Sequence, residues 1–173
     1  KLYSTIKEID ISFSKYRISE ALMLTYKLVW DDFCSQYLEI IKPEYQQPID
    51  KKTYNKTILF LEDILKLLHP FMPFLSEEIW HLIDDRESDI IISQWPEAKS
   101  IDKQLINDFN NTMEVVSGIR NIRKEKNIVK KEKLELFIIE NEEAKNNHDS
   151  IIIKLGNLSK VEYTKKKIEQ AFS

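Results

Sequence analysis

The chain has 173 residues, of which 42% are hydrophobic and 32% are charged, a balance typical of a soluble globular protein. No apolar run approaches the ~18 residues of a membrane-spanning helix, and two glycines are too few for a glycine-rich phosphate loop or a dinucleotide fingerprint. The net charge of −3 is uneven: residues 1–119 carry 13 basic and 20 acidic side chains, and residues 120–173 carry 13 basic and 9 acidic ones, which favours the C-terminal part for a polyanion.

The first two predicted helices follow from apolar spacing. Leu2, Ile6, Ile9 and Phe13 recur at three and four residues, which predicts an amphipathic helix. After a break at residues 14–17, a long helix is expected over residues 18–41. Its predicted apolar stripe consists of Leu22, Tyr26, Val29, Phe33, Tyr37 and Ile40.

Several aromatic side chains lie on or beside this stripe. We expect Tyr26, Phe33 and Tyr37 to belong to the core, whereas Trp30 fits either packing or stacking on an unpaired base. Cys34 is expected to be a buried, inert thiol. As the single cysteine it forms no internal disulfide, which fits a reducing cytosol.

The third helix and the corner that follows it are marked by capping residues and prolines. Asp50 is a plausible N-cap for a helix over residues 50–68. The stretch LLHPFMPFLSEEIW at residues 67–80 then places Pro70 and Pro73 in a helical pattern. Because proline interrupts a helix at a cost of about 3 kcal/mol or more, one helix should end near His69 and the next should start near Pro73. We expect this apolar corner to be buried.

The rest of the chain changes from helical to mixed periodicity. Ile90, Ile91 and Ile92 suggest a short extended run, and a further helix begins near Ile101. Residues 134–139 and 160–164 have strand-like patterns, with a possible helix over 142–155. The predicted fold is mainly α, with a helical bundle at residues 1–128 and a small α/β annex at 129–173. Because no Gly/Ser linker joins the two parts, the annex is expected to pack on the bundle.

A cluster of basic residues is the main candidate for function. Between Arg120 and Lys133 there are seven basic and two acidic residues. On a helix Arg120, Arg123, Lys124 and Asn127 share one face, where they suit phosphate binding and base contacts. We expect neither arginine to lie in the core. The alternative is a solvated helix end whose cations face the negative end of the dipole.

Other chemistries are poorly supported. His69, His81 and His148 have no metal-ligand spacing with one another or with Cys34, so no metal site is predicted. Asp31 and Asp32 are adjacent and would point about 100° apart on a helix, which disfavours a catalytic pair. We therefore assign no catalytic residue.

These motifs resemble a known family. The 67–80 corner is similar to the anticodon-binding helical domain of the class I aminoacyl-tRNA synthetases for valine, leucine and isoleucine. The segments YRISEAL at 16–22, WDDFC at 30–34 and GIRNIRKEKN at 118–127 most resemble the valyl form. Matches extend over residues 2–128, and Gln36 departs from the family, which often has an aromatic residue there.

The resemblance implies tRNA recognition. The parent enzyme would join valine to its tRNA with ATP and Mg²⁺, but this chain lacks the family's His-x-Gly-His and Lys-Met-Ser-Lys-Ser motifs, so no cofactor is expected here. The expected partners are valine tRNA and the rest of a cytoplasmic synthetase, with a first bundle helix and catalytic domain upstream and a coiled-coil arm downstream. The residues implied for RNA binding are Arg120, Arg123, Lys124, Lys126 and Asn127, and more weakly Arg17 and Lys27.

Three alternatives remain open. The chain could come from an isoleucyl- or leucyl-tRNA synthetase. It could instead be a helical protein-interaction module whose acidic half docks a basic partner. A small enzyme using the Asp31 and Asp32 region would require a pocket with convergent carboxylates.

Overall fold

The structure is a computed structural model that describes residues 1–139 and 148–165. The described residues contain a continuous helical path from Ile18 to Ile41 in three segments, five further α-helices and a short parallel strand pair. The elements are α1 (Leu2–Ser14), α2 (Ile18–Lys27), a π-helical segment (Leu28–Tyr37), α3 (Leu38–Ile41), α4 (Lys51–Leu68), α5 (Pro73–Ile83), a 3₁₀ turn (Ile90–Ile92), α6 (Lys103–Glu125), β1 (Leu134–Ile139), α7 (Asp149–Gly156) and β2 (Leu158–Thr164). The chain divides into two compact units, Lys1–Ile101 and Asp102–Ser173.

The first unit is helical, and its main core joins α1, the long second helix and α4. Side chains that are at most 9% exposed form this core: Ile6, Ile9, Ala21, Leu28, Phe33, Ile64 and Leu67. Phe33 stacks on Tyr37, with ring centroids 5.7 Å apart, and Tyr37 meets Phe60 edge to face. The expected core positions of Phe33 and Tyr37 are therefore confirmed.

The π-helical segment changes which side of the second helix is buried. A five-residue step separates the buried side chains of Leu28 and Phe33, whereas an α-helix repeats every 3.6 residues. The predicted stripe assumed α-helical spacing throughout, and it is wrong for Tyr26, which is 53% exposed, and for Leu22. The expectation that Cys34 is buried is also wrong, because its thiol side chain is exposed.

The proline corner forms where the sequence predicts it. Helix α4 ends at Leu68 and α5 begins at Pro73, whose missing N–H is tolerated in the first helical turn. Leu67 and Trp80 at the two ends of the corner are buried, but Met72, Phe74 and Leu75 are exposed, so the expectation of a buried apolar corner is wrong for the turn itself. A hydrogen bond fixes the corner instead: the buried Ser76 Oγ lies 2.8 Å from His69 Nδ1 and donates to a carbonyl of the preceding turn.

The loop after α5 packs through its own side chains. Ile90 is buried against Leu65 and Trp80, and residues 90–92 form a 3₁₀ turn rather than the expected extended run. The Ile90 N–H donates to Glu77 Oε1 at 2.8 Å. This bond ties the start of the 3₁₀ turn to α5, and the Ser93 N–H closes the turn on the Ile90 carbonyl at 3.0 Å.

The second unit consists of α6 and a small βαβ arrangement. Strands β1 and β2 pair in parallel, and α7 lies between them in the sequence, as a parallel connection requires. The core contains Val116 and Ile119 from α6, Ile152 from α7 and Leu158 from β2. The mainly α fold with a small α/β annex is confirmed. Residues 140–147 of the predicted 142–155 helix lie outside the described residues.

The compact units divide at a different place from the boundary expected at 128/129. Helix α6 belongs to the second unit because Val116 and Ile119 form a core with the annex. A helix with its apolar face on the annex cannot be separated from it at residue 128 without opening that core.

Candidate nucleic-acid interface

The C-terminal end of α6 presents basic side chains to solvent. Arg120 and Lys124 are exposed and lie one helical turn apart, where successive side chains share a face. Lys126 follows the last turn and is also exposed. Cations at this end interact favourably with the partial negative charge of the last carbonyl groups.

The chain then reverses direction at Asn127. Asn127 has a φ of 53°, a left-handed conformation that asparagine adopts more readily than most residues. The next N–H, that of Ile128, donates to the Arg123 carbonyl at 2.8 Å, which closes the helix end. This turn sends the following loop, residues 128–133, back past the end of the helix.

Arg123 occupies the centre of this region and is only 8% exposed. Its Nη1 donates to the Val129 carbonyl at 3.3 Å, and its Nη2 lies 2.9–3.1 Å from the carbonyl oxygens of Glu132, Gly156 and Asn157. We call this group the Arg123 cluster. The expectation that Arg123 lies outside the core is therefore wrong. Its guanidinium is buried and hydrogen-bonded to backbone carbonyls that are up to 34 residues away in the sequence.

The end of α7 explains why an arginine is accommodated there. The carbonyl groups in the last turn of a helix have no partner within the helix, and Gly156 and Asn157 supply two of them. Asn157 adopts a left-handed φ of 50°, and its Nδ2 donates to the carbonyls of Lys130 at 2.6 Å and Glu132 at 3.3 Å. Arg123 and Asn157 thus satisfy the helix end and the returning loop together.

A pocket opens beside the Arg123 cluster. Four of the residues that line it are cationic and none is acidic. We call it the basic pocket, and it is lined by Arg120, Arg123, Lys124, Ile128, Lys130, Leu155, Gly156 and Asn157. The partly exposed Ile128 and Leu155 add apolar surface beside the cations, a combination that suits the phosphates and base faces of a nucleic acid.

The structure thus brings some of the predicted residues together and separates others. Arg120, Arg123 and Lys124 line one pocket, whereas Asn127 forms the adjacent turn and is not among the lining residues. Sequence reasoning missed Lys130 as a member. Lys130 belongs to the basic run from Arg120 to Lys133, but the sequence does not predict the turn that brings it back to the end of α6.

The two weaker candidates belong to the first unit. Arg17 is exposed and its Nη1 lies 3.4 Å from Glu20 Oε2, and Lys27 is exposed at the end of α2. Trp30 is 59% exposed, so it is open to solvent rather than packed. The first unit therefore carries isolated candidates at these positions.

Two other polar groups of the first unit have partners. Asp32 forms an ion pair with Lys1 Nζ at 3.0 Å. His81 lies between two carboxylates that the sequence does not bring together, with its Nε2 3.2 Å from Glu77 Oε1 and 3.3 Å from Asp89 Oδ1. Because Glu77 also accepts the Ile90 N–H, this arrangement links α5 to the 3₁₀ turn.

Comparison with known proteins agrees with this geometry. Residues 1–138 match the family model described as the anticodon-binding domain of tRNA ligase, and the chain belongs to that family. Along its full length it is 47% identical to valine–tRNA ligases of Christiangramia forsetii and Parabacteroides distasonis. It is 31% identical to the valine–tRNA ligase of Thermotoga maritima over 96% of the chain.

The chain spans about a fifth of the length of these curated relatives. The match lies in their anticodon-binding part, and the resemblance inferred from the helical corner and the 118–127 segment is confirmed. Within the described ranges, no helix combines the length and the apolar character needed to cross a membrane.

Proposed function

We propose that this chain is the anticodon-recognition part of a valine–tRNA ligase and holds the anticodon stem and loop of valine tRNA. The observation that carries the proposal is the basic pocket, whose lining contains four cations and no carboxylate, at the end of a helix in an anticodon-binding domain. Valine is inferred from the names of the relatives.

In the proposed mechanism, phosphate contacts set the position of the RNA and base contacts read it. Arg120, Lys124 and Lys126 meet backbone phosphates, since exposed cations release counterions when they bind a polyanion. Unpaired bases of the loop lie against Ile128 and Leu155 and hydrogen-bond to polar groups at the rim. Net positive charge here steers the tRNA towards the second unit.

The rest of the ligase completes this role. We propose that a catalytic region elsewhere in the same polypeptide uses ATP and Mg²⁺ to join valine to the tRNA in the cytoplasm. Within this chain, α6 and the annex share one core and together supply the pocket. The fivefold greater length of the relatives supports a larger parent polypeptide.

The test is filter binding of valine, leucine and isoleucine tRNAs at two salt concentrations. We expect a preference for valine tRNA that is lost when its anticodon is changed. A preference for another of the three tRNAs would reassign the amino acid. Equal binding to all three, unaffected by anticodon changes, would contradict anticodon recognition.

A pair of lysines on one helix provides a matched control for the site. Lys124 and Lys103 are both exposed and lie at opposite ends of α6, about 30 Å apart at 1.5 Å per residue. Lys124→Ala should weaken binding and lower the slope of log K against log salt by about 0.7–0.9. Lys103→Ala should change neither, and equal effects of the two substitutions would contradict the assigned surface.

A further inference from the structure

We propose that Arg123 is a positioning residue, which fixes the 128–133 loop so that Lys130 faces RNA beside Arg120 and Lys124. This inference rests on the proposed function, and it assigns Lys130 as an RNA contact. It also changes the role of Arg123, whose residue type and helical position suggest direct phosphate binding.

Most of the Arg123 guanidinium is committed to the protein. Nη1 and Nη2 are bound to four backbone carbonyls, and Nε is buried without a hydrogen-bond partner. A phosphate that bound Nη2 would displace carbonyls that would then lack a hydrogen-bond partner, which opposes direct binding there. Arg123 therefore acts through the backbone it holds.

The backbone that Arg123 holds is the loop that carries Lys130. Arg123 binds the carbonyls of Val129 and Glu132, on either side of Lys130, and Asn157 binds the carbonyl of Lys130 itself. The same guanidinium reaches Gly156 and Asn157, which lie 33 and 34 residues further along the chain. The loop is thereby fixed to the end of α7 as well as to α6.

A fixed loop improves binding because less freedom is lost when RNA arrives. Lys130 is exposed and lines the basic pocket together with Arg120 and Lys124. A rim side chain on an unrestrained loop would be ordered only on binding, and that ordering opposes affinity. Supporting the contact residue with packed, hydrogen-bonded neighbours removes part of this cost.

Charge-conserving substitutions separate positioning from contact. Lysine keeps the positive charge but cannot reproduce the planar fork that bridges several carbonyls. Arg123→Lys should therefore weaken tRNA binding about tenfold or more, whereas the exposed Arg120→Lys should change it by less than about threefold. Near-normal binding by Arg123→Lys would contradict the proposal.

A double-mutant cycle tests whether Arg123 acts through Lys130. Lys130→Ala is at an exposed position and should fold normally while weakening binding about fivefold. In the Arg123→Lys background the same substitution should cost less than about twofold, since the loop is already released. Fully additive effects would show that the two side chains act independently, and no effect of Lys130→Ala would remove it from the interface.

Amide hydrogen exchange keeps the two proposals distinguishable. Arg123→Lys should speed exchange in the 128–133 loop while leaving the first unit, Lys1–Ile101, unchanged. Unchanged exchange in the loop would contradict positioning, whether or not RNA binds. Failure of the unsubstituted chain and its full-length parent to bind any tRNA, with faster loop exchange in the variant, would refute the proposed function and leave the structural role of Arg123 standing.

Discussion

The first and second units each remove an arginine from water, but they surround its charge with different partners. In the first unit, Arg86 pairs with the carboxylate of Glu62 and stacks on Trp80, with Cζ 3.8 Å from the ring centre. In the second unit, Arg123 is bound by backbone carbonyls, and among the described residues no ion pair includes it. The Glu62 carboxylate therefore balances the charge of Arg86, whereas no carboxylate among the residues that line the basic pocket balances the charge of Arg123.

This contrast extends to the units as a whole. Residues 1–101 carry 12 basic and 17 acidic side chains, and residues 102–173 carry 14 basic and 12 acidic ones. An acidic surface repels a polyanion, and a carboxylate-paired arginine cannot offset that repulsion. A polyanion is thus expected at the second unit, and the first contributes mainly a packed helical frame.

The largest expected effect concerns the aromatic core of the first unit. Phe33→Ala should lower the free energy of unfolding by about 3–5 kcal/mol, because it removes a ring that is 9% exposed and stacked on Tyr37. All three tryptophans, Trp30, Trp80 and Trp95, lie in this unit, so urea unfolding followed by tryptophan fluorescence reports on it. Tyr26→Ala, at a 53% exposed ring, is the matched control and should cost below about 1 kcal/mol. Equal losses of unfolding free energy in the two variants would mean that Tyr26 is as buried as Phe33, as α-helical spacing predicts.

Arg86 provides the direct comparison with Arg123. Arg86→Ala should cost about 2–3 kcal/mol, because it leaves the mostly buried Glu62 carboxylate without its partner. Adding Glu62→Ala should recover part of that loss, again measured by tryptophan fluorescence. If the loss of unfolding free energy in the double variant equals the sum of the losses in the two single variants, charge balance between Arg86 and Glu62 does not explain the effect.

Gly118 and Gly156 test the packing of the second unit. Gly118 lies within α6, and a Cβ there would meet no atom within 4 Å, so Gly118→Ala should stabilise the unit by about 0.5–1 kcal/mol. A Cβ on Gly156 would lie 3.2 Å from side-chain atoms of Ile119 and Leu158, so Gly156→Ala should not stabilise it. Hydrogen exchange of the α6 amides measures both. Destabilisation by Gly118→Ala would show that this face of α6 is covered.

The smallest expected effect is a pH dependence confined to the first unit. Burial raises the pKa of Asp63 above its ordinary value, against the opposing effect of the nearby Lys66 and Lys99. The folded state then holds the proton more tightly than the unfolded state, so this residue lowers stability as pH rises from about 4 through the folded-state pKa. Asp63→Asn should gain about 0.5 kcal/mol or less at pH 7 and nothing at pH 3, by urea unfolding. An equal gain at both pH values would rule out ionisation as the cause.

Elements fixed by local chemistry were predictable from the sequence. Asp50 caps α4 by accepting the Thr53 N–H at 2.9 Å, and Pro73 begins α5. The strands at 134–139 and near 160–164 were also visible in the apolar pattern. In each case, residues that are close in the sequence determine the local backbone conformation.

Features that depend on distant partners were not predictable. The π-helical segment shifts the buried face of the second helix, so α-helical spacing wrongly predicts that Tyr26 is buried. Arg123 has the residue type and helical position of a solvent-exposed cation, and only the carbonyls of Gly156 and Asn157 show that it is buried. The cationic character of the site was readable from the 120–133 run, whereas the division between contacting and positioning residues was not.

Site-specific photocrosslinking to valine tRNA tests the central claim most directly. A photoreactive residue replaces Lys124 in the second unit or Glu78 in the first, both of which are exposed. We predict that position 124 crosslinks to nucleotides of the anticodon stem and loop and that position 78 gives no crosslink. Crosslinks from position 78 to that stem and loop, with none from position 124, would contradict the assignment of the basic pocket as the tRNA-binding surface.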